Sequence, residues 1–172
     1  MRRIVVVFFG LIAPILFYSS CSITLNGASI PPEMKTINVE YFENNAPLVV
    51  NYLSQNFTEA LKSRIRSTTR LSIVQGEADA DMKGSITGYS IEPVSVQATN
   101  NNVAPVAGAE RLTITVNVIY SYKNDKKNNF TQTFTEHQDF SGDINSQEQN
   151  LVTTITKRLT DDIFNRTFAN WQ

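Results

Sequence analysis

The run from Leu112 to Tyr122 constrains the fold of this chain more than any other segment. Apolar residues alternate along it with the four polar residues Thr113, Thr115, Asn117 and Ser121. This period of two predicts an extended strand with one apolar and one polar side, and Ile119 is the one apolar residue on the polar side. We therefore expect an antiparallel sheet with one face on a core and the other face open to water or to a partner.

Two shorter segments earlier in the chain also predict strands. Ile37, Val39 and Tyr41 alternate with polar neighbours, and Leu71 to Val74 is a short, mostly apolar stretch. Both are too short to build a sheet alone, so we expect them to join the longer strands.

Two long segments on either side of the central run complete the predicted sheet. The segment from Met82 to Gln97 is apolar first at even and then at odd positions, and a β-bulge at Gly88 would account for the change. The segment from Phe130 to Phe140 is more polar throughout, which favours an edge position.

Two further segments have the apolar spacing of amphipathic helices. In the first, which we expect to open at Pro47, one face carries Leu53, Phe57, Ala60, Leu61 and Ile65. In the second, the apolar stripe consists of Leu151, Ile155, Leu159 and Ile163, flanked by Val152 and Phe164. Ser146 and Gln149 have the spacing of a capping box and predict the start of this second helix.

The predicted order of elements is β-α-β-β-β-β-α. We expect an α+β fold, a two-layer sandwich in which both helices pack on one face of a mostly antiparallel sheet of about four strands.

The N-terminal segment predicts export and lipidation. Arg2 and Arg3 precede an apolar run of about 15 residues, too short for a transmembrane helix, and two small serines then lead to Cys21, the only cysteine. The pattern is typical of a lipoprotein signal peptide that is cut before Cys21, although Tyr18 stands where such signals usually carry Leu. An ordinary secretory peptide that leaves Cys21 as a free thiol is the alternative.

The predicted cleavage divides the chain into a signal peptide (1–20), a lipidated tether (21–35) and a single domain (36–172). The mature chain would retain thirteen basic against sixteen acidic residues, a net charge of about −3, which argues against a nucleic-acid partner. Cys21 is followed by neither an adjacent Asp nor an acidic cluster. By resemblance to known lipoprotein sorting rules, this favours the outer membrane and its periplasmic side.

The sequence predicts no catalytic residue, no metal ligand set and no cofactor. His137 is the only histidine, so a catalytic triad would depend on it, and it lies in a polar strand that suggests a surface position. Basic residues occur near the ends of the central hairpin. They are Arg111, Lys123, Lys126 and Lys127. A solvated surface is the simple interpretation, and contact with phosphate groups is the functional alternative.

Several segments together resemble one known family. They are TINVEYFENN (36–45), FTEALKSRI (57–65), TRLSIV (69–74), ADADMKGSITGYSIEPVSV (78–96), RLTITVNVIY (111–120) and DDIFNRTFANW (161–171). They are similar to the lipopolysaccharide-assembly lipoproteins of LptE type, in the form found in Bacteroidota. The resemblance covers nearly the whole predicted mature chain, and its motifs are structural, so only Cys21 is transferred as a site residue.

The resemblance implies a non-enzymatic outer-membrane lipoprotein that faces the periplasm and the lumen of an LptD-type β-barrel. It implies that the domain plugs this barrel, assists its assembly and takes part in lipopolysaccharide transport. The polar loop from Ala98 to Ala109 supplies Asn100, Asn101 and Asn102 as candidates for contact with the barrel, and the four basic residues are candidates for contact with lipopolysaccharide. A free-standing periplasmic lipoprotein that binds a small ligand or glycan is the alternative function.

Overall fold

Six strands and two helices make up the part of the chain that the computed structural model describes, residues 30–94 and 108–169. The strands are β1 (Thr36–Val39), β2 (Glu43–Asn44), β3 (Ser72–Val74), β4 (Ala80–Pro93), β5 (Ala109–Tyr122) and β6 (Phe130–Ser141). The helices are α1 (Leu53–Thr68) and α2 (Glu148–Phe168), and single 3-10 turns at Lys126–Asn128 and Ile144–Ser146 precede β6 and α2. The α+β class is confirmed, and β2 is an addition to the predicted order.

The strands form one mixed sheet in the order β3-β1-β4-β5-β6, with β2 beside β4. The long strands β4, β5 and β6 pair antiparallel as predicted, and β6 lies at the edge. β1 pairs in parallel with β3 and β4, and β2 pairs in parallel with β4. This parallel part arises because α1 crosses over between β1 and β3, as strands that run in the same direction require.

The predicted bulge in β4 is confirmed. The pairing of β4 with β5 shifts register between Ile86 and Gly88. Met82 and Ile86 are buried before the shift and Tyr89 is buried after it, so the extra residue keeps apolar side chains on the core face.

The core lies between the inner face of the sheet and the two helices. All six apolar residues of β5 on this face, from Leu112 to Tyr122, are at most 2% exposed. On α1, the buried stripe includes Leu53, Phe57, Leu61 and Ile65, and the predicted stripe of α2 is buried as well. Among the described residues, no helix has the length and apolar character needed to cross a bilayer.

Gly84 of β4 leaves room for the side chain of Phe42 to pack against the sheet below α1. A Cβ atom at Gly84 would lie 2.7 Å from Cε1 of Phe42 and would overlap the backbone oxygen of Asn117. The ring of Phe42 packs edge-on against Phe57 with 5.1 Å between centroids. The backbone N–H of Phe42 donates to Thr58 Oγ1 at 3.1 Å. Only glycine permits this approach of Phe42 to the sheet.

The predicted start of α1 at Pro47 and the predicted cap of α2 at Ser146 are wrong, whereas α2 itself begins within one residue of the predicted position. α1 begins at Leu53, because the preceding residues form a turn in which Asn44 Oδ1 accepts from Ala46 N at 3.1 Å. Ser146 does not cap α2, which begins after Gln147, and Ser146 Oγ donates instead to Asp143 O at 2.9 Å. Asp143 caps the 3-10 turn that stands at this position, so the turn occupies the place of the predicted capping box.

Candidate functional site

The outer face of the sheet is lined by hydroxyl and amide side chains. β5 contributes Thr113, Thr115 and Asn117, all partly exposed, because their neighbours in sequence point into the core. The paired residues of β6 are His137, Thr135 and Thr133. Ile119 lies on the same face, 36% exposed, and its partner on β6 is Thr131.

Hydrogen bonds between side chains connect β5 and β6 across this face. The hydroxyls of Thr115 and Thr135 lie 3.1 Å apart, and Asn117 Nδ2 donates to Thr133 Oγ1 at 3.3 Å. On the outer face of β5, no charged residue lies between Arg111 and Lys123. These side chains of β5 and β6 are therefore polar but uncharged, and we refer to residues 113, 115, 117, 131, 133 and 135 as the hydroxyl face. On the neighbouring strand β4, the exposed Lys83 pairs with Ile119 at the border of this face.

An ion pair lies beside one end of the hydroxyl face. Arg111 Nε and Nη2 donate to the two carboxylate oxygens of Asp139 at 2.6 and 2.9 Å. The Arg111 guanidinium holds the pKa of Asp139 below its usual range, and the same pair raises the pKa of Arg111. Arg111 is thus already paired with a carboxylate, and both side chains remain partly exposed.

The other three candidate cations lie in the β5–β6 loop. Lys123 Nζ is 3.2 Å from Glu77 Oε1, and both side chains are largely exposed. Asp125 fixes the loop, since its carboxylate accepts from Lys127 N at 2.9 Å and from Asn128 Nδ2 at 3.0 Å. Within the described part of the chain, Lys126 and Lys127 are exposed and have no carboxylate within ion-pair distance.

The structure divides the four cations between the two ends of the sheet. Arg111 lies near the start of β5 and Lys123 directly follows its end. At about 3.4 Å per residue, the two are separated by roughly 40 Å. The four basic residues are close to the hairpin ends in the sequence, but they do not form one cluster in the structure.

Asp79 connects the start of β1 to the end of β5, at the end of the sheet where the lysines lie. Its Oδ2 accepts from Lys35 N at 2.8 Å, Thr36 N at 2.9 Å and Thr36 Oγ1 at 2.9 Å. These hydrogen bonds, first of all those from the backbone of Lys35 and Thr36, lower the pKa of Asp79. The carbonyl of Asp79 also accepts from Lys123 N at 3.0 Å. The sequence alone offered no signal for this role, because the partners are more than forty residues apart.

The remaining predicted site residues have different outcomes. Cys21 and Asn100, Asn101 and Asn102 lie outside the described residues. His137 is exposed on the outer face of β6, as expected of a surface histidine. Within residues 30–94 and 108–169, no three His, Cys, Asp or Glu side chains come together in a way that could hold a metal ion.

A contact that the sequence did not reveal joins the start of α2 to β4. Tyr89 OH donates to Glu148 Oε1 at 2.7 Å. Burial, followed by the interaction with Glu148, raises the pKa of Tyr89, so the phenol remains protonated and continues to donate.

Comparison with known protein families identifies one match. A family model described as LptE, lipopolysaccharide-assembly, matches residues 34–167. This span begins before β1 and ends in the last turn of α2. A search of curated protein sequences finds no match.

Solved structures of bacterial proteins, two of them described as lipoproteins, share the fold. A crystal structure of the rare lipoprotein B from Shewanella oneidensis is 12% identical, covers 76% of this chain and 92% of its own, and has a TM-score of 0.53. An NMR structure of an uncharacterized lipoprotein B from Nitrosomonas europaea is 12% identical, with 79% and 82% covered and a TM-score of 0.53. A protein from Xanthomonas campestris is 10% identical, with 80% and 87% covered and a TM-score of 0.54. At these identities the likeness supports the fold alone.

Proposed function

Because this chain belongs to the LptE family of lipopolysaccharide-assembly proteins, we propose that it plugs the lumen of an LptD-type β-barrel and helps that barrel to assemble in the outer membrane. In this proposal, the chain is cut before Cys21, anchored by lipid on that residue, and faces the periplasm and the barrel lumen. It performs no catalytic step and needs no cofactor.

The hydroxyl face is the observation that supports the plug role. The lumen of an outer-membrane barrel is polar, so a domain inside it must present hydrogen-bonding groups to the wall. Thr115, Asn117, Thr133 and Thr135 supply such groups on a sheet surface.

The lack of charge among the β5 and β6 residues of the hydroxyl face supports a partner there. Hydroxyl and amide groups cost less free energy to desolvate than carboxylates or ammonium groups do. Charged residues are accordingly depleted at the core of protein interfaces. The β5 and β6 residues of the hydroxyl face follow this pattern, and Ile119 adds a partly exposed apolar side chain beside them.

Photo-crosslinking in cells tests this proposal. A crosslinking residue at Asn117 should trap a large outer-membrane barrel protein, whereas one at Gln55, exposed on α1, serves as the matched position on the helix layer. Positions Asn100 to Asn102 and Lys126 extend the map to the predicted barrel and lipopolysaccharide contacts. Depletion of the protein should lower surface lipopolysaccharide and raise sensitivity to bulky hydrophobic antibiotics.

Two results would contradict the plug role. Unchanged lipopolysaccharide export after depletion of the protein would show that the protein has no role in lipopolysaccharide transport. Crosslinks from Asn117 that reach only small periplasmic molecules would favour the alternative, a free-standing lipoprotein that binds a ligand or glycan.

A further inference from the structure

The two ends of the sheet differ in charge. We call the end that holds the β5–β6 loop, the start of β1 and the end of α1 the basic end. Its cations are Lys35, Arg66, Arg70, Lys123, Lys126, Lys127 and Arg166, and its acids are Glu33, Glu77, Asp79 and Asp125.

Most of the acids at the basic end are already engaged. Asp79 accepts three hydrogen bonds from Lys35 and Thr36, and Asp125 caps its own loop. Glu77 pairs with Lys123. Arg70, Lys126 and Lys127 are exposed and none of them forms an ion pair with another described residue.

The opposite end, which we call the acidic end, carries an excess of carboxylates. Its cations are Arg111, which is bound to Asp139, and Arg158 of α2, which donates to His137 O and Gln138 Oε1. The acids there are Glu92, Glu110, Asp139, Asp143 and Glu148. The described domain therefore has a charge asymmetry along β5, over about 45 Å.

The chain enters the described structure at the basic end. Ile30 is its first residue, and Met34, four residues later, is buried at 3% exposure. Eight residues lie between Cys21 and Ile30, so the reach from one to the other is about 30 Å when the chain is fully extended. A lipid on Cys21 thus keeps the basic end within about 30 Å of the bilayer surface. This distance is shorter than the roughly 45 Å along β5.

We propose that the basic end rests on the anionic phospholipid headgroups of the leaflet that holds the lipid anchor, with Lys126 and Lys127 as its main contacts. This inference depends on the proposed lipidation of Cys21, but it needs neither the barrel nor lipopolysaccharide. The electrostatic attraction acts over about one Debye length, roughly 8 Å at physiological salt, so it holds only the end that the tether brings to the surface. The acidic end is repelled by the same headgroups.

Fluorescence quenching on vesicles tests this orientation with the full lipidated chain. The thiol of Cys21 is blocked by its lipid, so Asn124→Cys at the basic end and Asn145→Cys at the acidic end each provide one site for a dye. The vesicles contain phosphatidylcholine alone, phosphatidylcholine with phosphatidylglycerol, or phosphatidylcholine with lipopolysaccharide, each with a nitroxide quencher on some headgroups. We expect several-fold stronger quenching at position 124 than at position 145 with phosphatidylglycerol, and loss of this difference in high salt.

A charge-matched pair of variants assigns the effect to the loop. Lys126→Gln with Lys127→Gln should lower quenching at position 124 several-fold, whereas Lys83→Gln with Lys157→Gln, exposed positions outside the basic end, should leave it unchanged. Equal quenching at both dye positions, no effect of the loop variants, or quenching that requires lipopolysaccharide would overturn the proposal. A chain whose mass lacks the lipid and which does not float with vesicles would overturn the anchor and this contact together, whatever the crosslinks to the barrel show.

Discussion

The inner face of β5 carries six apolar side chains that are almost wholly buried, whereas its outer face carries threonines and an asparagine that remain partly exposed. Both sets alternate along one strand and share one backbone. The inner residues are held by the helices and the neighbouring strands. The outer residues Thr115 and Asn117 form side-chain hydrogen bonds to β6. The difference separates residues that specify the fold from residues that are available for a partner.

The largest expected contrast is between adjacent positions of β5. Ile114→Ala should lower the free energy of unfolding by about 2–5 kcal/mol, because it removes buried contacts and leaves a cavity. Thr115→Ala should cost less than about 1 kcal/mol, since it removes one exposed hydrogen bond. Urea unfolding of both variants measures the difference, and equal losses would show that the outer face also stabilises the fold.

Gly84→Ala tests a position where β4 contacts both Phe42 in the core and the backbone of Asn117 in β5. A Cβ atom there would overlap the backbone oxygen of Asn117, so β4 and β5 must move apart, at a cost of about 1–3 kcal/mol. Ser85→Ala, at the next position of β4, provides the control. A neutral effect of Gly84→Ala in thermal unfolding would mean that the sheet adapts without strain.

Asp79 gives the smallest effect, and its dependence on pH has a defined sign. The hydrogen bonds from Lys35, Thr36 and the Thr36 hydroxyl favour the ionised carboxylate, so the pKa of Asp79 is lower in the folded chain than in the unfolded chain. The resulting stabilisation is complete above the unfolded pKa of about 3.9 and is lost as the pH falls through the folded value. Asp79→Asn should therefore unfold at a lower temperature than the wild type at neutral pH, and the gap should close in acid. A constant gap over that range would contradict this account.

The sequence predicted those features that depend on local periodicity. The helix stripes, the alternation of β5, the bulge at Gly88 and the edge position of β6 follow from patterns within one segment. The parallel pairing of β1, the two-residue strand β2 and the Asp79 junction depend on contacts between distant segments, which periodicity does not encode.

The candidate site was predicted only in part, for the same reason. The polar face of β5 was visible in the sequence, but its hydrogen bonds to β6 depend on the strand register. The engagement of Arg111 depends on the same register, which places Asp139 opposite it. The predicted capping box at Ser146 was wrong because Asp143, three residues earlier, organises a 3-10 turn there.

Affinity purification from detergent-solubilised outer membrane tests the central claim, that the hydroxyl face binds a barrel partner. The tagged wild-type chain should recover one large barrel protein in nearly equal amount. Asn117→Arg places a charge at the centre of the hydroxyl face and should abolish most of this recovery without a change in thermal unfolding. Gln55→Arg, on the exposed side of α1, should recover the barrel as the wild type does. Equal recovery with both variants, or no barrel with the wild type, would contradict the account.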